Sequence, residues 1–231
     1  TIGTITIGIE KGLILPKTQG KVLMEAPAGL VKIEYQSEEG KVKSVKLTNV
    51  ASFLYKENIK VECSGLGQLT VDVSYGGNFY AIVDPQPNFP GLENYTAEQL
   101  VSWAREIRAK INEEHQFIHP EDANINGLSH VMWTGKPLDV DSSARNAVFY
   151  GDKAIDRSPC GTGTSARMAQ WAAKGKLKAG DKFIHESIIG SKFIGTVEAK
   201  TKVGDFEAII PGVEGWARIY GENFININET D

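Results

Sequence analysis

Cysteine is scarce in this chain: Cys63 and Cys160 are the only two in 231 residues, and they lie far apart. A chain this long builds an ample core without covalent staples, so a disulfide is not expected and a reducing, cytoplasmic setting is. No apolar run approaches the roughly 20 residues of a membrane span, and no secretory leader is expected. Neither sign of charge dominates. The 25 Lys and Arg stand against 29 Asp and Glu, and the basic residues are dispersed, which leaves no footprint for nucleic acid. The phosphate-loop pattern Gly-x-x-x-x-Gly-Lys-Ser/Thr is missing, and no Gly-x-Gly-x-x-Gly follows a strand, which argues against a nucleotide. His115, His119 and His185 form no ligand spacing with a cysteine or with each other, so no metal site is expected.

What is present is concentrated in Asp156-Arg-Ser-Pro-Cys160-Gly-Thr-Gly-Thr164. Pro159 stops a strand-like segment, Cys160 follows at once, and a helical run over Ser165–Lys174 ends at Gly175, a C-terminal cap. The first turn of a helix leaves N–H groups unpaired and carries partial positive charge, so it welcomes an anion. A thiol placed there tends towards a lowered pKa and serves as a base or nucleophile. The same residues also suit a packing role, with Cys160 a small hydrophobe and the glycines allowing close helix packing.

A weak internal repeat points the same way. Aligning Lys11-Gly12 with Lys174-Gly175 pairs Thr1 with Thr164, and Glu25–Gly29 then matches Glu186–Gly190 after a small difference in loop length. Each copy reads helix, loop, strand, Gly turn, strand. The partner of Cys160 would fall just before Thr1, so the chain is expected to be a C-terminal piece of a longer protein. A natural mature N-terminus is the alternative.

Asp156–Ala166, Glu186-Ser-Ile-Ile-Gly-Ser191 and Tyr75-Gly-Gly-Asn-Phe79 resemble the proline racemase family, and the likeness runs over essentially the whole chain. The resemblance implies a cofactor-free, two-base proton transfer at the Cα of a small cyclic amino acid, with one cysteine on each face. Cys160 is similar to the second catalytic cysteine. Gly161 and Thr162 resemble the backbone pair that binds the substrate carboxylate, and Asp156 the carboxylate that accepts the ring ammonium. The first Cys-Gly-His turn of the family is not in this sequence. His130 lies in the alternation Leu128, His130, Met132 of a strand; the resemblance implies that a histidine at this place marks the 4-hydroxyproline 2-epimerase branch and contacts the substrate's hydroxyl, the alternative being a satisfied core histidine. The alternatives are a proline racemase, or an inactive carboxylate-binding fragment. Cysteine at 160 weighs against the dehydratase branch.

The implied fold is α+β, with two similar lobes like those of diaminopimelate epimerase. Each lobe is a curved, mostly antiparallel sheet wrapped on a central helix. Residues 1–50 with 212–231 would form an incomplete first lobe, and 51–211 a second lobe carrying Cys160. The expected partner besides the substrate is a second copy of the chain or an upstream segment of the same protein. Strands are expected at Lys21–Met24, Leu30–Tyr35, Val42–Leu47, Gln68–Val73, Phe79–Val83, Phe193–Val197, Phe206–Ile210 and Trp216–Tyr220. A further helix is expected over Thr96–Glu113, with Gln99 completing a capping box. His119–Gly127 and Pro85–Asn94 read as loops, Cys63 as structural and Trp171 as core.

Overall fold

The computed structural model describes residues 1–27 and 29–226; the end of the 212–231 call, residues 227–231, lies outside them. In chain order the elements are α1 (Ile2–Glu10), β1 (Lys21–Ala26), β2 (Gly29–Glu38), β3 (Lys41–Thr48), β4 (Ser52–Cys63), β5 (Gly67–Tyr75) and β6 (Phe79–Val83). There follow α2 (Ala97–Glu114), β7 (Ile118–His119), β8 (Asp122–Asn126), β9 (Leu128–Gly135), β10 (Ala144–Tyr150) and β11 (Ala154–Ile155). The last are α3 (Gly161–Ala173), β12 (Lys182–Glu186), β13 (Lys192–Val203) and β14 (Phe206–Gly215). The class is α+β, as expected.

Eight strands close on themselves in the order β14, β13, β12, β10, β9, β6, β5, β4. The ring is shut by two residue pairs, Phe53 with Ala208 and Ser52 with Ile209. Two pairings, β6 with β9 and β10 with β12, are parallel; the others in the ring are antiparallel. Every residue of α3 from Gly163 to Gln170 is buried. A helix hidden all round must be surrounded, and α3 packs on β4, β5, β6, β13 and β14. On the other face of the sheet, Leu100, Ala104, Ile107 and Ile111 of α2 join Leu69, Val71, Trp133 and Phe149 in the main core. Helices on both faces explain why Phe79–Val83 is apolar without alternation and wholly buried.

The sheet continues past β14 into β3, β2 and β1, and α1 packs against β3. Ile2 and Ile5 meet Val31, Ile33, Val45, Leu47 and Val213 in a smaller core of their own. The edge of β14 changes partner along its length, from β4 at Ala208 and Ile209 to β3 at Gly212–Gly215. The repeat is visible locally. Both α1 and α3 stop at a lysine followed by a glycine with positive φ, 67° at Gly12 and 71° at Gly175.

The helix over 96–113 forms with its capping box: the Thr96 side chain accepts from the Gln99 N–H while Gln99 accepts from the Thr96 N–H. Two expectations need correction. Trp216–Tyr220 is no strand; β14 stops at Gly215 and the alternating side chains that follow find no edge to join, with Tyr220 98% exposed. His119–Gly127 is not simply a loop, because β7 and β8 pair there as a short hairpin. The 12-residue β4 was not anticipated: its polar Lys56-Glu57-Asn58 hides a bulge, with Asn58 at φ 58°.

Candidate active site

Two turn bonds deliver the chain from β11 to Cys160. The Asp156 carboxylate accepts from the Ser158 N–H at 2.8 Å, and Ser158 Oγ accepts from the Cys160 N–H at 3.0 Å. Cys160 then caps α3 at φ 63°, ψ 116°, a left-handed conformation that costs a non-glycine residue roughly 1–3 kcal/mol. Its surroundings hold it there. The Asn146 amide donates to the Pro159 carbonyl at 2.8 Å, the Thr164 hydroxyl donates to the same oxygen at 3.2 Å, and the Thr164 N–H donates to the Cys160 carbonyl at 2.7 Å. Asn146 and Thr164 both lean on His185, at 3.1 Å from Nε2 and 2.9 Å from Nδ1. All three are fully buried, and desolvation, helped by Arg167, keeps the His185 imidazole well below its usual pKa and therefore neutral.

The Cys160 sulfur accepts from the Gly163 N–H at 3.4 Å and has the Tyr80 hydroxyl at 3.4 Å and the Thr162 hydroxyl at 3.8 Å. Burial pushes the thiol above its ordinary pKa; the hydrogen bonds from Tyr80, Gly163 and Thr162 pull it back, and Asp156 adds to the rise. The expectation of an acidic thiol, drawn from the helix start alone, is thus corrected: desolvation exceeds what the donors contribute.

A cleft of about 590 Å³ opens beside this turn. Asp156, Ser158, Gly161, Thr162 and Asn49 line it, together with Thr1, Ile2 and Leu47 among others. The size suits a small organic ligand. A Cβ on Gly161 would meet nothing within 4 Å, so its backbone is open to a ligand. Gly76 is the opposite case. A Cβ there would collide with the Thr162 carbonyl and the Ala166 N–H, so the Tyr-Gly-Gly-Asn motif lets β5 turn tightly against the first turn of α3. Asn49 ties the two together, donating to the Gly76 carbonyl and Ser165 Oγ, both at 2.9 Å.

Four of the five anticipated residues are therefore brought together: Asp156, Gly161 and Thr162 on the cleft wall, with Cys160 bonded to that wall. His130 stands apart. It pairs in register with Tyr80 across β6 and β9, its ring lies 4.7 Å from the Tyr80 ring, and it is not among the residues lining the cleft. Desolvation, with Arg108 second, holds its pKa down at about 4. Cys63 belongs to the core under α2, and burial, with Glu106 second, pushes its thiol up to about 12. Among the described residues no cluster of His, Cys, Asp or Glu is fit to hold a metal, and no helix is long and apolar enough to cross a membrane. Tyr80, Asn49, Asn146 and His185 were not anticipated as parts of the site. Only Ser158 carried a local signal, the Asp-x-Ser turn.

Comparison with known proteins identifies the family. The family model described as "Proline racemase" matches residues 1–231. A "4-hydroxyproline 2-epimerase" from Spirosoma linguale is 64% identical over 231 residues, all of this chain and 69% of that protein. A probable proline racemase from Agrobacterium radiobacter, solved with bound carbonate, superposes with a TM-score of 0.88 at 32% identity, covering 100% of this chain and 67% of that one. A hydroxyproline epimerase from Agrobacterium vitis, solved with bound trans-4-hydroxy-L-proline, gives 0.84 at 33% identity over 95% of this chain and 64% of that one. With a motif-bearing turn, a matching fold and sequence agreement along the whole of this chain, it belongs to the proline racemase family.

Proposed function

We propose that this chain supplies one face of the active site of a cofactor-independent 4-hydroxyproline 2-epimerase. The observation that carries the reading is the turn at 156–162: Cys160 at the start of an enclosed helix, with Gly161, Thr162 and Asp156 on the wall of one cleft. In this reading the substrate carboxylate lies on the N–H groups of the first turn of α3 and its ammonium faces Asp156, which presents Cα to the Cys160 sulfur. A Cα proton is barely acidic, so the charge that develops on the carboxylate must be met by donors already in place. Transfer by a positioned acid or base contributes roughly 10²–10⁴-fold, and fixed geometry must supply much of the rest. A thiol whose pKa is raised is mostly protonated at rest and strongly basic once ionised. It therefore suits donation in one direction and abstraction in the other.

The opposite face of Cα needs a second carrier. Cys63 cannot serve, because it lies in a different core. The reading assigns that role to a first cysteine outside these 231 residues, on a lobe to which residues 1–50 and 212–231 contribute, with 51–211 forming the lobe of Cys160. The greater length of the Spirosoma relative supports this. A free thiol at the site favours a reducing, cytoplasmic compartment.

Deuterium uptake at Cα from heavy water, read by NMR in the enzyme carrying both thiols, tests the assignment. Exchange of trans-4-hydroxy-L-proline, with proline much slower, is expected. Faster exchange of proline would make it a proline racemase, and no exchange of either would sink the reaction. The purified chain, free of any upstream peptide, is expected to turn over neither. That outcome follows from the absence of a second thiol on the cleft, and turnover by the chain alone would overturn the two-thiol scheme.

A further inference from the structure

Tyr80 is a fully buried tyrosine that reaches α3 from the start of β6. Its hydroxyl is 2.6 Å from Thr162 Oγ1 and 3.4 Å from Cys160 Sγ, while those two atoms are 3.8 Å apart. Three groups thus form a triangle, with the phenol at its closest corner. A hydroxyl has one proton and can also accept. Tyr80 therefore cannot donate to the sulfur and to Thr162 at once.

We propose that Tyr80 is a positioning residue that reverses the direction of two hydroxyl protons with the protonation state of Cys160. The proposal rests on the epimerase reading above for its catalytic meaning. When Cys160 is a thiolate, Tyr80 donates to the sulfur and Thr162 donates inward to Tyr80. When Cys160 carries a proton, the S–H donates to Tyr80, Tyr80 donates to Thr162, and the Thr162 proton is released towards the cleft, whose wall Thr162 forms. The step balances. The substrate Cα–H bond breaks, an S–H bond forms, and the electron pair stays on the substrate as negative charge delocalised into its carboxylate. The hydroxyl protons only turn about their own oxygens. In the direction in which Cys160 abstracts, the extra donor thus turns to the carboxylate as its charge grows, a stabilisation absent from the ground state of that direction.

Other groups around the triangle are fixed in charge or distant. His185 is neutral and bonded to Thr164 and Asn146, and His130 is held neutral against the Tyr80 ring with Arg108 behind it. Asp156, on the preceding loop, is bonded to the Ser158 N–H.

The test needs no substrate. Cys160 alkylation by iodoacetamide, read by peptide mass spectrometry to separate it from Cys63, is followed against pH in wild-type chain and Tyr80→Phe. Loss of one donor to a thiolate is expected to move the profile to higher pH and to slow alkylation near neutrality about tenfold or more. An unmoved profile in a variant with unchanged circular dichroism overturns the proposal. Should Tyr80→Phe fold poorly, the ring-carbon Cζ resonance of Tyr80 in ¹³C-tyrosine-labelled wild-type protein decides. It must shift in step with Cys160 ionisation, and a resonance that ignores the thiol overturns the switch. In the active enzyme, Tyr80→Phe is expected to lower kcat about tenfold or more with KM within about threefold. A rise in KM alone overturns the transition-state role. If alkylation shifts while no epimerase activity exists, the switch stands and the functional reading falls.

Discussion

In the enzyme carrying both thiols, Cys160→Ala removes the thiol bonded to this cleft wall, and exchange at Cα should fall to background while the melting temperature stays near wild type, as calorimetry would show. His130 makes a prediction about acid stability. Its native pKa of about 4 lies below the ordinary value of 6.5, so the unfolded chain takes up the proton first as pH falls. Stability is then unaffected above about pH 6.5 and is lost progressively between there and about pH 4. His130→Gln should retain about 2 kcal/mol more than wild type at pH 5 relative to pH 7, measured by urea unfolding. Equal pH slopes for the two proteins would contradict it. Of the site, the contiguous part was readable: Asp156, Cys160, Gly161 and Thr162 lie in one turn, where spacing and chemistry coincide. Tyr80 was not readable, because it sits in an uninterrupted apolar strand and meets the sulfur only after 80 residues of chain have folded back.

At the level of elements, two substitutions should separate capping from close packing. Thr96→Ala deletes the cap of α2 and should cost about 1 kcal/mol, with Cys160 reactivity unchanged. Gly76→Ala drives a methyl into the backbone of the first turn of α3 and should cost about 1–3 kcal/mol while altering Cys160 reactivity. Thermal melts and the alkylation rate distinguish them; a silent Gly76→Ala would mean that β5 and α3 can slide apart. The same contrast explains what the sequence disclosed. The α2 helix has local start signals and a regular apolar face, so its bounds were legible to within one residue. The strands β4 and β10 were not, since a bulge in one and two-sided burial in the other erase the period-two pattern that reveals a strand.

Across the whole molecule, the eight-stranded ring and the outlying α1 with β1–β3 have separate cores. The outlying part also leaves Leu15, Leu23 and Leu30 exposed. Amide hydrogen exchange should therefore run at least about tenfold faster in residues 1–48 than in β5, β6 and β9. Uniform protection would mean one cooperative unit and would remove the ground for dividing the chain near residue 50. Architecture above the level of class was only partly foreseeable, because ring closure depends on two residue pairs between β4 and β14 that no local pattern announces.

The change of partner along β14 fixes what can vary in the cleft. One bank of the cleft hangs from β3 and the other is built on the ring. Between Ile209, the last residue paired to β4, and Gly212, the first paired to β3, only Ile210 and Pro211 intervene. The Pro211 carbonyl there accepts from the N–H of Asn49, itself on the cleft wall. Those few residues join the two parts of the sheet at the cleft: β14 holds β3 on one side of Pro211 and the ring on the other, so the spacing beside Cys160 is written into a single continuous strand.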